Sequence, residues 1–327
     1  MRIMSATADA TATATADAPQ SCPRPGFRPR LTYAIVPPNK KTPVDRRLAI
    51  AAAQSARIAA LPIDALLVYD VQDESARNAR PRPFPFFPKV DPLTYAFETL
   101  QVGKLPRVVY HAIAQRHETS FERWVQELRR RDGLAVFVGA PTASASAAMP
   151  LEDAYTACRS HAPDLTFGGV MIAERHQALG DEDSRVWSKA RQGCRFFVSQ
   201  TVWSVAATQR LLRDVHRRAQ DEGGSVPPLL VTVSPCGSPQ TLEFLEWLGV
   251  EVPRDVKRDL LAAKDILERS VELATDILAE VCATAADLGL TVGCNVESVS
   301  SRPSEVEASI ELTHRIDRVL AQVACGG

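Results

Sequence analysis

Residues 165–199, LTFGGVMIAERHQALGDEDSRVWSKARQGCRFFVS, contain the pattern that decides the fold. The apolar runs Leu165–Ile172 and Arg195–Ser199 stand at the two ends of this stretch. Strands that are apolar along their whole length are typical of parallel sheets, whose two faces are both buried. Between them Glu182–Gln192 has a helical pattern, and Gly193 stands where helices often end on a left-handed residue. The stretch therefore predicts a strand, a crossover helix and a second strand parallel to the first.

The same alternation recurs along the chain. The other strands are predicted at Leu31–Val36, Ala65–Tyr69, Arg107–Tyr110, Leu134–Val138, Leu229–Val233 and Leu290–Cys294. Helical patterns are found at Val44–Ala60, Pro92–Leu100, Ser120–Arg131, Leu151–Ser160, Val202–Gln220 and Ser304–Val323, with two or three helices inside Pro239–Leu288. Eight strand–helix units predict one closed architecture, an α/β fold in the form of a single (β/α)₈ TIM barrel over residues 30–327. No G-x-G-x-x-G motif follows any strand, which argues against a dinucleotide-binding open sheet.

Composition narrows the classes of partner. The 327 residues include 38 basic and 39 acidic ones, so no overall field favours nucleic acid or an anionic membrane. Seven cysteines, an odd number without a C-x-x-C pair, argue against a disulfide framework and a zinc site, and we expect no metal. Residues 1–29 are rich in Ala, Thr and Pro and predict a disordered tail. Without a signal-like or membrane-spanning run, we expect a cytoplasmic protein.

Polar side chains cluster where the predicted strands end, which is where (β/α)₈ barrels carry their chemistry. The candidates are Asp70, Asp73 and Glu74 after the second strand, His111 after the third, Glu174 and His176 after the fifth, Gln200 after the sixth, and Asn295 and Glu297 after the eighth. The first three form either an acid for catalysis or a solvated loop paired with Arg77 and Arg80. Glu174 and His176 bind a cofactor and relay protons, or they belong to a loop ion pair, and His111 is equally readable as a satisfied, half-buried histidine.

Residues 80–88, RPRPFPFFP, are unusual because four prolines prevent regular structure while three phenylalanines would be costly to leave in water. Following the second strand, the segment is placed to fold over the rim as a lid or to contact a partner subunit of a homo-oligomer. The alternative is a rigid loop packed on the outside of the barrel.

Three motifs resemble the methylenetetrahydrofolate reductase family. KARQGCRFFVSQ at 189–200 is similar to the family's K-x-x-x-G-A-x-F-x-x-T-Q, GGVMIAERH at 168–176 to its P-E-x-H strand, and YAIVPP at 33–38 to its F-E-x-x-P-P signature. The three occur in the family's order over about residues 31–320. The resemblance implies a (β/α)₈ barrel that reduces methylenetetrahydrofolate with NAD(P)H, generally through FAD, although some relatives work without a flavin.

The resemblance also implies roles for individual residues. Gln200 matches a glutamine that hydrogen-bonds the folate pterin, and Lys189 matches a lysine near the flavin phosphates. Lys189 is also readable as a surface lysine that complements a helix dipole. His111 and His176 match cofactor-facing positions. Independently of the resemblance, Asn295 and Glu297 are placed after the eighth strand, where they would close the substrate site from the other side.

Two positions depart from the family. Its strand-one glutamate, an acid that helps to open the five-membered ring, aligns with Ala34, and its strand-four aspartate aligns with Ala140. A general acid contributes about 10²–10⁴-fold to rate, so another carboxyl would have to replace it.

We therefore expect an oxidoreductase that reduces a folate-bound one-carbon unit, with an acid drawn from Asp70, Asp73, Glu74 and Glu174. One alternative is a folate-binding barrel with a different one-carbon reaction. The other is a non-catalytic barrel that binds a ligand or a partner through Phe84–Phe87.

Overall fold

The computed structural model describes residues 26–74, 80–113, 118–139 and 149–325. Residues 1–25 of the predicted tail and Ala140 lie outside these ranges. Phe27 and Pro29, which the sequence assigned to the tail, belong to the folded domain, because Pro29 is buried and the Phe27 ring lies 4.8 Å from that of Phe196 inside the barrel.

Eight parallel strands close into a barrel in sequence order, β1 pairing with both β2 and β8. This confirms the predicted fold. The strands are β1 Leu31–Ile35, β2 Ala65–Val68, β3 Arg107–Ala112, β4 Leu134–Val138, β5 Phe167–Met171, β6 Phe197–Thr201, β7 Leu229–Val233 and β8 Val292–Glu297. β3 and β8 run two or three residues beyond their predicted ends, so His111, Asn295 and Glu297 lie within strands rather than after them.

Side chains alternate between the barrel interior and the layer under the helices, as the period of two in a strand requires. The interior holds Leu67, Val136, Phe196 and Leu230. The outer layer is a larger apolar cluster that includes Leu66 and the neighbouring helices. The barrel is thus a packed core in its lower part, and a ligand can enter only at its end.

The helices surround the sheet. They are α1 Val44–Ala59, α2 Pro92–Thr94 continued by a π-helical turn Tyr95–Thr99, α3 Glu118–Arg130, α4 Leu151–His161, α5 Ala173–Leu179, α6 Glu182–Arg191, α7 Val205–Asp221, α8 Pro239–Trp247, α9 Arg254–Ala262, α10 Ile266–Asp287 and α11 Pro303–Cys325.

α5 corrects the sequence prediction, which treated Glu174 and His176 as loop residues. The segment AERHQAL consists mostly of good helix formers, and Gly180 ends it with φ +70°, a conformation that glycine adopts without steric cost. The short helix was overlooked because it is only seven residues long and follows the strand directly.

Within the described ranges, no helix is both long and apolar enough to cross a membrane. The cysteines at 158, 194, 236, 282 and 294 are buried free thiols.

Candidate functional site

A connected polar layer lies inside the barrel near the C-terminal ends of the strands. Asn295 on β8 donates to the hydroxyl of Tyr69, which follows β2, at 3.0 Å and to Thr232 on β7 at 3.2 Å. Its amide oxygen accepts a hydrogen bond from Thr32 on β1 at 3.0 Å. One amide therefore joins four strands around the barrel, and it fixes the direction of the Tyr69 hydroxyl above the apolar core.

Glu297 lies on the same inward face of β8, two residues beyond Asn295. Its carboxyl is hydrogen-bonded to Tyr69, and burial raises its pKa to about 7. Burial also raises the pKa of Tyr69 and of Tyr110 well above the usual value, and the charge of Glu297 adds to both shifts. The two tyrosine rings meet edge to face at 4.6 Å. The cluster therefore combines one carboxyl that titrates near neutrality with two neutral phenols.

Ala34, the position that the resemblance marks as an acid, is the register partner of Glu297 across the β1–β8 pair. It is 4% exposed and belongs to the interior cluster. The structure therefore places a carboxyl beside the position where the sequence shows none. The sequence predicts a substrate-binding role for Glu297, and no sequence pattern connects it with Ala34.

Gln200 lies near the end of β6, where the pairing with β7 shifts register between Val198 and Thr201. Such bulges re-aim a side chain near many active sites. The Gln200 amide nitrogen donates to the carbonyl oxygen of Leu248 at 3.1 Å. Leu248 caps α8, so this helix, which follows β7, ends over β6 at the rim.

Residues 80–88, the strap, follow β2 and contact α8 and the residues just before α11 at the mouth, the C-terminal end of the barrel. Trp247 of α8 donates to the Arg80 carbonyl at 2.9 Å, and the Phe84 ring meets that of Phe244 at 5.2 Å. The Arg302 guanidinium, just before α11, lies 5.5 Å from the Phe84 ring. Because β1 and β8 lie between β2 and β7 in the barrel, the strap crosses the C-terminal end on that side. These contacts fix the strap on α8 and beside α11, and both the lid and the rigid packed loop stay predictions.

The three carboxyls after β2 do not enter the interior cluster through any described contact. Asp70 accepts the Ala112 backbone N–H at 2.9 Å and so ties β2 to β3. Asp73 and Glu74 act electrostatically on Arg82 of the strap, whose pKa is lowered by burial. These carboxyls thus have contacts with backbone and strap, and the acid role expected for them stays a prediction.

Glu174, in the first turn of α5, is 8% exposed. Burial raises its pKa to about 7, and the charge of Glu251 adds to the shift. Among the described residues its Oε1 has no hydrogen-bond partner. No described contact joins it to Tyr69 or Glu297, so the structure does not unite it with the interior cluster.

The two predicted cofactor histidines lie outside the barrel interior. His111 points away from Tyr110 across β3 and stacks on Trp124 of α3 at 4.0 Å. His176 is 2% exposed, and its Nε2 is 2.8 Å from Asp214 of α7. Strand alternation sends His111 under a helix, and the α5 helix turns His176 towards α7. The structure therefore corrects the expectation that both face a cofactor.

Lys189 on α6 is likewise engaged outside the interior. Its ammonium donates to the Val170 carbonyl of β5 at 2.6 Å. Burial lowers its pKa, and the nearby Glu182 opposes that shift. The side chain links helix to strand, which differs from the phosphate contact that the resemblance implies.

A hollow of about 570 Å³ lies at the opposite, N-terminal end, lined in part by Phe27, Phe97 and Arg107. Two of its arginines are paired with acids, Arg129 with Asp164 and Arg131 with Glu98. Across the described ranges, no group of three His, Cys, Asp or Glu side chains is arranged to hold a metal ion.

Known structures can be compared with this geometry. A protein from Clostridium thermocellum, reported to bind two copies of 5-methyl-5,6,7,8-tetrahydrofolic acid, is 35% identical to this chain. The match covers 89% of this chain and 95% of that one, with a TM-score of 0.78. The chain belongs to the family of this clostridial protein. The match spans most of both chains, so the shared family is not limited to a fragment of either.

A β-1,4-mannanase of family GH113 matches at 9% identity with a TM-score of 0.52, over 88% of this chain and 97% of that one. A likeness at that identity shows the barrel fold alone. No protein-family model and no curated protein matches the chain.

Proposed function

We propose that this protein binds a reduced folate at the C-terminal mouth of the barrel and reduces a folate-bound methylene group to methyl with NAD(P)H. The observation that carries the proposal is the ligand of the clostridial relative, since 5-methyltetrahydrofolate is the product of this reduction. The sequence motifs around Ala34, Glu174 and Gln200 support the same reaction class through their resemblance to methylenetetrahydrofolate reductases.

The mouth of this chain suits a pterin. A pterin presents hydrogen-bond donors and acceptors on one edge, and an amide side chain offers both. The Gln200 side-chain nitrogen donates to the Leu248 carbonyl, and no described residue donates to the Gln200 Oε1. That oxygen is therefore placed to accept a hydrogen bond from a ligand, while the tyrosine rings offer an apolar surface.

The described residues do not fit a flavin in the way that the resemblance implies. His111, His176 and Lys189 are engaged with Trp124, Asp214 and Val170 respectively. The proposal therefore passes no step through FAD, and the hydride comes from NAD(P)H.

The residues of this chain then act by position. Gln200 holds the pterin, and the strap, fixed on α8 through Trp247, serves as a cover over the mouth. A covered site keeps water from the electrophilic carbon and holds the two reactants at reacting distance, which can contribute several kcal/mol.

A second candidate is a barrel that binds folate without reducing it. The two copies of the methylated folate in the relative favour this candidate, because a protein that accommodates two product-like molecules is suited to hold them.

One experiment separates the two. The purified protein is titrated calorimetrically with 5-methyltetrahydrofolate, and NADH and NADPH oxidation is then followed with methylenetetrahydrofolate. We expect binding and turnover, with Gln200→Ala weakening binding about 10-fold or more. Gln192→Ala, which removes the same amide from the outer end of α6, is the matched control. Binding without turnover selects the second candidate, and the absence of binding rejects both.

A further inference from the structure

The Glu297 carboxyl lies next to Ala34 and has no role in the steps of the proposed function. Ala34 and Glu297 are register partners on neighbouring parallel strands. Both face the interior, Ala34 as part of the inner apolar cluster and Glu297 through its hydrogen bond to Tyr69. Because Ala34 carries only a methyl group, the space beside it is left to the Glu297 side chain.

Burial favours a Glu297 carboxyl that keeps its proton, and the hydrogen bond from Tyr69 opposes this only in part. The titratable neighbours are Tyr69, through that hydrogen bond, and Tyr110, whose pKa the charge of Glu297 raises. Both stay neutral at physiological pH because burial raises their pKa values. Asn295 fixes the Tyr69 hydroxyl from the other side at 3.0 Å. The carboxyl is thus oriented by a rigid network, and it titrates near pH 7.

We propose that Glu297 is the catalytic acid of folate reduction, supplied from β8 in place of a side chain on β1. This inference rests on the proposed function. The Glu297 carboxyl gives its proton to N10 of the five-membered ring, and the bond between the methylene carbon and N10 breaks with its electron pair going to N10. The resulting N5 iminium carbon accepts hydride from NAD(P)H and becomes methyl. The carboxylate regains a proton from water.

Glu297→Gln keeps the shape and a hydrogen bond to Tyr69 but cannot act as an acid. We expect kcat for reduction to fall about 10²–10⁴-fold while 5-methyltetrahydrofolate binding stays within a few-fold. Glu297→Asp should recover part of the rate. Glu311→Gln, which changes an exposed carboxyl on α11, should leave the rate unchanged.

The pH profile gives an independent readout. Because the acid must be protonated, kcat of the unaltered protein should fall as pH rises through about 7, the pKa of Glu297, and this limb should vanish in Glu297→Gln. If Glu297→Gln does not fold, the pH profile of the unaltered protein tests the proposal alone. A kcat that stays constant as pH rises through about 7 overturns it.

A second assay removes the nicotinamide. With no nicotinamide in the site, water can add to the N5 iminium carbon formed by protonation of N10 and ring opening, and formaldehyde is then lost. Labelled formaldehyde enters methylenetetrahydrofolate by the reverse steps, and the rate is measured above the spontaneous exchange without protein. Exchange without reduction would reject the reductase proposal and, if it is lost in Glu297→Gln, support the acid. Full reduction by Glu297→Gln would reject the acid and leave the reductase proposal standing, and an unaltered protein that neither reduces nor exchanges would overturn both.

Discussion

The rings of Phe84 and Phe244 meet edge to face, with centroids 5.2 Å apart and planes at 90°. The first belongs to the strap after β2 and the second to α8 after β7, so this contact spans the part of the barrel mouth that lies above β1 and β8. Pairs of this geometry contribute about 0.5–1.5 kcal/mol beyond the area they bury. Arg82 adds a contact of 5.2 Å to the Phe244 ring from the same strap.

Phe84→Ala should detach the strap from α8. We expect the free energy of unfolding to fall by about 1–3 kcal/mol and 5-methyltetrahydrofolate to dissociate several-fold faster, measured by stopped-flow displacement. Phe87→Ala is the matched control, since Phe87 lies in the same strap but is 49% exposed. Equal effects of the two substitutions on dissociation would contradict a closing role for the Phe84 contact.

Ala34→Glu should not restore the family's acid. It would place a second carboxyl beside Glu297, and adjacent carboxyls raise each other's pKa. We expect the free energy of unfolding to drop by about 2–4 kcal/mol at pH 8, and by less at pH 5, where both are protonated. Ala34→Gln adds the same bulk without the charge. If Ala34→Glu and Ala34→Gln are equally stable at pH 8, the side chain at position 34 does not lie beside the Glu297 carboxyl.

Glu174 should make stability depend on pH. Its pKa rises from 4.5 to about 7 on folding, so its contribution is complete below pH 4.5 and is lost as pH rises to about 7. Glu174→Gln should therefore be more stable than the unaltered protein at pH 8 by about 1–3 kcal/mol, by denaturant titration. Glu251→Gln removes a neighbouring exposed charge and should change stability less. A Glu174→Gln variant that loses stability at pH 8 would contradict this account.

His111→Ala tests whether the histidine is structural. Removing a ring stacked on Trp124 at 4.0 Å should cost about 2–4 kcal/mol of unfolding free energy, and the folded variant should bind folate normally. His161→Ala, at a half-buried histidine paired with Glu122, should cost less than about 1 kcal/mol. Lost binding at unchanged stability would instead return His111 to the cofactor role predicted from the sequence.

The fold was predictable because each strand is a nearly continuous apolar run, and eight such runs separated by helices close in one way. The order of strands and most helix bounds followed from that pattern. α5 was missed because seven residues span too little sequence for a helical period to stand out.

The site was predicted less well because the direction of a side chain depends on whether its residue lies within a strand or after it, and the sequence placed the ends of β3 and β8 too early. Extending β3 by two residues places His111 in the strand, where alternation turns it outward under α3. The same alternation turns Asn295 and Glu297 inward. Tyr69 and Thr232 were missed as site residues, although their two-residue spacing from inward apolar positions was a usable signal. The pairing of Ala34 with Glu297 joins the first strand to the last, and no local pattern contains it.

The mouth is assembled from the two ends of the chain. Tyr69 leaves β2 early in the sequence, and the carboxyl it holds lies 228 residues later, on the final strand. A chain growing from its N-terminus on the ribosome therefore carries Tyr69 and the strap long before Asn295 and Glu297 exist to fix them. The proposed folate site is consequently complete only in the finished barrel, so a ligand bound there would stabilise the protein only after synthesis has passed the last strand, not while earlier units are folding.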